Sequence, residues 1–296
     1  MKLRDVLLAI LTSVLWGLSF IATRYGIDDF TPVQLTVLRF AVAALPALVL
    51  PRPRVPWHLL LAAGGFWFLL QFLLFFWSFH EGMPPGAASV VQQASAPFTV
   101  LLAALLLHEV PSRRQLAGMA VCFAGLALIG LSAGADLPLP ALILMLGAAL
   151  SWSCGNIVIK RMPLAPVMAL TAWMALVVPL PALVLSFLLG DPPLTEAVAN
   201  ASWRGLLSVV YLGSLSTGIA YAAWGYLLAR YPAAIVTPFA LLVPCTGILA
   251  SVIVFGETFP PLRYSGIALV MLGIAIIVLR GRGRGRATPA RRSPPR

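Results

Sequence analysis

Ten apolar runs, each near the length needed to cross a membrane, dominate this sequence: 6–24, 32–50, 58–79, 85–107, 115–131, 140–159, 166–189, 206–228, 233–255 and 261–279. A helix crossing about 30 Å of hydrocarbon needs roughly 20 mostly apolar residues. Only 10% of the residues are charged. A soluble domain of this size usually carries about 25%, so too few are present to cover a water-facing surface. The connections, such as PRPRVP, HEGMPP and GETFPP, are too short for a soluble domain. The expected fold class is an all-α integral membrane protein with ten transmembrane helices. No small-residue cleavage site precedes Arg24, so a removable signal peptide is not expected.

The net charge of +11 does not point to nucleic acid, because seven of the twenty basic residues lie in the tail that starts at Arg280. Residues 281–296 hold mainly Pro, Gly and Arg. They are expected to be a disordered cytoplasmic tail that can touch anionic lipid. With the N-terminus in the cytoplasm, sixteen basic residues fall inside and three, Arg24, Arg204 and Arg263, fall outside. That asymmetry predicts both termini in the cytoplasm of a multi-pass protein. Cys122, Cys154 and Cys245 fall inside apolar runs without CxxC spacing and are expected to be free, buried thiols.

The two halves of the chain resemble each other. Trp16 precedes Arg24 by eight residues, and Trp152 precedes Lys160 by eight. Trp77 and Pro97 share a spacing with Trp224 and Pro244; Pro85 and Pro232 keep the same offset. Gly118 and Gly125 after Glu109 match Gly266 and Gly273 after Glu257. These marks predict a duplicated five-helix unit, 1–132 and 137–280. Five is odd, so the second unit enters the membrane inverted. Inverted repeats are typical of secondary transporters, whose substrate site lies near the midplane between the repeats.

Polar side chains at membrane depth face neighbours or a cavity rather than lipid. On the fourth run Ser89, Gln92, Ser95 and Thr99 make one stripe, with Gln93 about 100° round from Gln92. They can line a cavity or join helices by hydrogen bonds. Trp16 on the first run, Trp152 and Asn156 on the sixth and Tyr221 on the eighth are further candidates for a substrate cavity. So is Gln71 on the third. Gly17 and Gly155 are read as permitting close helix approach. Arg39 is the basic residue well inside a span, suited to a substrate carboxylate or to a structural anchor. Gln92 and Gln93 correspond in the second unit to Phe239 and Ala240. Packing common to both halves therefore does not demand the amides.

No Asp or Glu lies at mid-depth, so a buried carboxylate proton relay is not expected. There is no HExxH, no P-loop and no evident catalytic set. No catalytic residue, metal or cofactor is predicted. The expected partners are a small-molecule substrate and the lipid bilayer, not nucleic acid. The alternative reading, a membrane-embedded lipid-processing enzyme or scramblase, would need a laterally open, polar groove, preferably with deep ionisable residues, and the sequence supplies only Arg39.

Several segments carry a family resemblance: WGLSF (16–20), LRF (38–40), GMPPGAASVVQQA (82–94), HE–x–P–x3–QLAG (108–118), SWSCGN (151–156), YLLARY (226–231) and LLVPCTGILAS (241–251). Together they resemble the EamA branch of the drug/metabolite transporter superfamily, and within it the bacterial cysteine and O-acetylserine exporters. The resemblance covers nearly all of 1–280. It implies a bacterial inner-membrane exporter of small amino-acid metabolites with a central cavity between the halves. It carries no residue-level site, and the Arg-rich tail departs from it.

Overall fold

A computed structural model describes residues 1–134, 136–231 and 233–278. Among them the chain is helical, without a strand; only an isolated bridge joins Gly134 to Leu137. The predicted tail and the repeat mark at Pro232 lie outside the described residues. Among the described residues, nine helices are long and apolar enough to cross a membrane. We label these, with one shorter apolar helix, α1 (Leu3–Asp29), α2 (Pro32–Leu48), α3 (Trp57–His80), α4 (Pro85–Leu107), α5 (Arg113–Leu131), α6 (Leu139–Lys160), α7 (Val167–Leu188), α8 (Trp203–Arg230), α9 (Thr237–Phe255) and α10 (Pro261–Val278). The shorter one is α2. Its α-helical part ends at Ala44, and Leu45–Leu48 forms a 3-10 turn around Pro46, which lacks the N–H an α-helix needs. A short helix, Leu194–Asn200, sits in the connection before α8.

Helices close their own backbone hydrogen bonds, which hydrocarbon requires of any spanning segment. Their outer faces are apolar. Phe187 and Ile253 are 84% and 73% exposed, as suits a lipid-facing surface and not a wet one. The protein is a multi-pass membrane protein. Cys122 is buried and Cys154 partly so, but Cys245 is exposed on α9. The expectation of three buried thiols fails there because Cys245 lies on the apolar outer face.

The ends of the helices follow local chemistry. Thr31 with Gln34 and Ser112 with Gln115 form capping boxes at α2 and α5, satisfying N-terminal N–H groups. Helices α4 and α9 stop at residues in the left-handed region, His108 (φ 54°) and Gly256 (φ 65°).

Helix α7 breaks between Ala175 and Pro179, and four other helices are irregular inside. Gly64–Leu70 of α3 and Tyr211–Ile219 of α8 are π-helical. These segments begin 147 residues apart. Gln92–Ala94 of α4 and Thr237–Leu241 of α9 are 3-10 turns, and their ends are also 147 residues apart. Each 3-10 turn is followed closely by a proline, Pro97 or Pro244. A helical proline donates no bond and clashes with the carbonyl four residues back, so the preceding turn tightens.

Helices α5 and α10 pack through glycines. A Cβ on Gly118 would lie 2.8 Å from the Gly273 carbonyl oxygen, and one on Gly125 2.7 Å from that of Gly266. The lower-numbered glycine of one helix meets the higher-numbered glycine of the other, so the helices run antiparallel. At the start of α10 the Arg263 guanidinium donates to Ser132 Oγ (3.1 Å), the Ser132 carbonyl (2.9 Å) and Asp136 Oδ2 (2.6 Å). It clamps the α5–α6 connection.

Candidate functional site

An aromatic cluster gathers side chains from four helices at the centre of the bundle. The Tyr221 ring of α8 lies 5.3 Å from Trp16 of α1, 5.2 Å from Trp67 of α3 and 6.1 Å from Trp152 of α6, between centroids. Trp67 and Trp152 are 4.8 Å apart, and Trp224 lies 5.2 Å from Trp16. Such ring pairs contribute about 0.5–1.5 kcal/mol each beyond their area. Gly155 makes the approach of Trp67 feasible, since a Cβ there would sit 2.7 Å from Trp67 Cβ. Gly17 instead admits α9 beside α1, where its Cβ would lie 2.8 Å from the Val243 carbonyl oxygen. Both glycines allow close approach as expected. The π segment of α8 opens its ladder here. Its Ser216 carbonyl accepts from Trp16 Nε1 at 3.0 Å.

Beside this cluster Arg39 is 3% exposed. Its Nε and Nη2 donate to Thr217 Oγ1 at 3.1 and 3.0 Å. Its guanidinium carbon stands 3.9 Å from the Phe72 ring centre. Thr217 in turn donates to the Leu212 carbonyl at 2.8 Å. That bond spans five residues, matching the i→i+5 period of a π-helix. No carboxylate lies within ion-pair distance of Arg39 among the described residues. The cation is held by hydroxyl and ring contacts alone.

The polar stripe of α4 splits between two neighbours. Ser89 is fully buried against α9. Its hydroxyl donates to the Gly86 carbonyl (2.7 Å) and approaches the Pro244 carbonyl (3.4 Å). A Cβ on Gly247 would fall 2.5 Å from Ser89 Cβ. The lower part of the stripe meets α6: the Ser95 carbonyl accepts from Ser153 (2.9 Å), and Thr99 Oγ1 accepts from Asn156 Nδ2 (3.2 Å). Gln92 and Gln93 sit between, on the 3-10 turn, both half-buried. Gln92 Oε1 is buried without a hydrogen-bond partner, as are Gln71 Oε1, Trp67 Nε1 and Ser216 Oγ. Leaving such a group unpaired costs about 1–3 kcal/mol. No group of three His, Cys, Asp or Glu side chains among the described residues could hold a metal.

A cavity of about 490 Å³ lies at one end of the bundle, lined in part by Arg24, Asp28, His80, Met83, Pro85 and Glu257. Arg24 Nη1 pairs with Asp28 at 2.6 Å. The Gly86 N–H donates to Glu257 Oε2 at 3.1 Å. Burial raises the Glu257 carboxyl above the usual carboxylate range, against the hydrogen bonds from Ser251 and Gly86.

The family model for EamA-like transporters matches twice, over residues 3–131 and 139–279. The chain belongs to the EamA-like transporter family. It is 39% identical over 292 residues to a "Probable amino-acid metabolite efflux pump" of Salmonella typhimurium (strain LT2), covering 96% of this chain and 98% of the relative. The protein of that name from Escherichia coli (strain K12) is 37% identical with the same coverage. A "Probable terminal-alkyne amino-acid exporter" of Streptantibioticus cattleyicolor is 32% identical, covering 99% and 100%. A solved crystal structure, 20% identical, shares the fold at a TM-score of 0.65, covering 96% of this chain and all of that one.

This EamA-like protein is thus a transporter and not an enzyme, as its sequence suggests. Of the candidate side chains, Trp16, Trp152 and Tyr221 come together, and Arg39 reaches the same region through Thr217 and the Phe40–Phe68 pair. Ser89 and Asn156 are engaged in helix contacts. Sequence reasoning missed Trp67, which touches both Trp152 and Tyr221. The neighbouring glycines gave no signal for it: Gly64 approaches Met174 and Val177 on α7, and nothing lies within 4 Å of a Cβ on Gly65.

Proposed function

We propose that this EamA-like transporter has ten membrane helices in two inverted five-helix units, 1–132 and 137–280. In this reading it exports small amino-acid metabolites, cysteine- or O-acetylserine-like, across the bacterial inner membrane. The observation that carries the substrate class is the 39% and 37% identity to probable amino-acid metabolite efflux pumps across almost the whole length of each chain. The two-unit reading is supported by the double family match. The π segments, 3-10 turns and left-handed helix ends also recur at offsets of 147 or 148. Inversion is supported by the antiparallel α5–α10 glycine contact. If Gly118 corresponds to Gly266 and Gly125 to Gly273, exchanging the units maps the contact onto itself, as a two-fold axis would.

The substrate then binds near Tyr221, between Trp16 and Trp152. A guanidinium offers donors to a carboxylate, and aromatic faces accept an ammonium; Arg39 and the rings supply both. Gln92, with Gln93 beside it, offers amide hydrogen bonds to the side chain of the metabolite. Rocking of one unit against the other exposes the site alternately to each side, with both termini in the cytoplasm.

Purified protein in proteoliposomes should move labelled cysteine or O-acetylserine, assayed in a panel of amino acids with and without a proton gradient. Transport of none of the panel would sink the substrate assignment.

A further inference from the structure

The two ends of the molecule carry the same pair of charges in two different arrangements. Glu109 and Glu257 each follow a helix that stops at a left-handed residue, His108 or Gly256. Lys160 and Arg24 each stand eight residues beyond a tryptophan of the central cluster, Trp152 or Trp16. At one end the pair is made: Lys160 Nζ lies 2.5 Å from Glu109 Oε1. At the other it is parted. Arg24 is held by Asp28 at 2.6 Å. Glu257 instead accepts the Gly86 N–H at the start of α4, which Ser251 Oγ shares at 3.2 Å. Both parted residues line the same cavity of about 490 Å³, so space for the side chains to change partners is already present.

We propose that Glu257 is a gate residue of the transport cycle that exchanges Gly86 for Arg24 when this end of the molecule opens. Held on Gly86, the carboxylate ties the segment after α9 to the start of α4 and closes the end. Released, it forms with Arg24 the ion pair that Glu109 and Lys160 already make at the opposite end, and Asp28 gives up Arg24. The absence of a side chain at Gly86 is part of the latch, because a Cβ there would lie 2.7 Å from Glu257 Oε2. This assignment rests on the alternating-access reading above, but not on the identity of the substrate.

The test uses Met83, which lines the cavity and is 1% exposed. With Cys122, Cys154 and Cys245 replaced by alanine, Met83→Cys reports opening through its rate of maleimide labelling in purified full-length protein. Glu257→Gln keeps an acceptor for Gly86 but loses the pair with Arg24, and Arg24→Gln loses the same pair. Each should slow labelling about two- to fivefold, the range for one exposed ion pair. The double variant should be no slower than either single one. Gly86→Ala, which displaces Glu257, and Asp28→Asn, which frees Arg24, should both speed labelling. Additive slowing in the double variant, or no acceleration with Gly86→Ala, overturns the proposal. The labelling is read without substrate, so failure of the amino-acid transport assay and failure of the gate are separate outcomes.

Discussion

Arg39 of α2 donates twice to Thr217 Oγ1 of α8, at 3.1 and 3.0 Å, and Thr217 passes a bond on to the Leu212 carbonyl within the π segment. A buried cation thereby fixes the one stretch of α8 whose ladder is widened, four residues before the tyrosine at the centre of the aromatic cluster. The charge and the irregular backbone stabilise each other: the hydroxyl satisfies the guanidinium on one side and an open carbonyl on the other.

Replacing Thr217 by Val keeps the shape and removes the acceptor. The loss of a hydrogen bond to a charged group should cost about 1.5–3 kcal/mol, read as a lower unfolding temperature in detergent. Arg39→Lys should also fail to support transport. A lysine is a compact point charge that can neither stack flat on Phe72 nor present the same fork of donors. Normal export by Arg39→Lys would remove Arg39 from the substrate site.

Gln92→Ala removes an amide whose Oε1 has no partner in the protein, so no existing bond to that oxygen is lost. Protein yield and unfolding temperature should stay near those of the parent while export falls. Ser89→Val is the contrasting variant. It breaks the bonds to the Gly86 and Pro244 carbonyls and adds a methyl where Gly247 already approaches, so it should lower stability first. Equal loss of yield in both variants would make Gln92 a packing residue.

The membrane class was legible because hydrophobic length is a strong, local signal, and nine of the ten apolar runs reappear as helices of spanning length. The run at 32–50 came out shorter because Pro46 breaks its last turn. The site was legible only in part. Trp16, Trp152 and Tyr221 could be picked out as large or amphipathic residues near polar ones. The π segments could not, because they depend on contacts distant in sequence, such as Arg39 with Thr217. Trp67 was hidden for a related reason: a tryptophan in an apolar run reads as packing until Gly155, on another helix, leaves room for it. The role of Ser89 turned on Gly247, 158 residues away.

The glycines between α5 and α10 can be tested directly. A Cβ on Gly125 would lie 2.6 Å from the Val270 nitrogen and 2.7 Å from the Gly266 oxygen. Both are backbone atoms of another helix and cannot rotate away. Gly125→Ala should therefore separate the helices and destabilise the protein by about 1–3 kcal/mol, as overpacking does. Gly65→Ala is the control, since nothing lies within 4 Å of its Cβ position. It should leave the unfolding temperature unchanged or slightly raised, because alanine is the better helix former. A neutral Gly125→Ala would mean that α5 and α10 do not meet this closely.

The clamp at Arg263 predicts a pH dependence. The hydrogen bond from Arg263 holds the Asp136 carboxyl below the usual carboxylate range, and the guanidinium charge adds to it. In the unfolded chain Asp136 returns to its ordinary value, so at low pH the unfolded state binds more protons than the folded one. The stabilisation is fully present above the ordinary carboxylate pKa. It is lost as the pH falls through the lowered folded value. Asp136 is 59% exposed, so water and salt screen the pair and the effect is modest. Melting profiles in detergent between about pH 3 and pH 6 should show a shallower acid decline for Asp136→Asn than for the parent, and the two curves should converge at the acid end. Arg263→Gln should lower stability across the whole range, because its bonds to Ser132 are lost at every pH. Parallel curves for the parent and Asp136→Asn would show that the ion pair contributes nothing to folding.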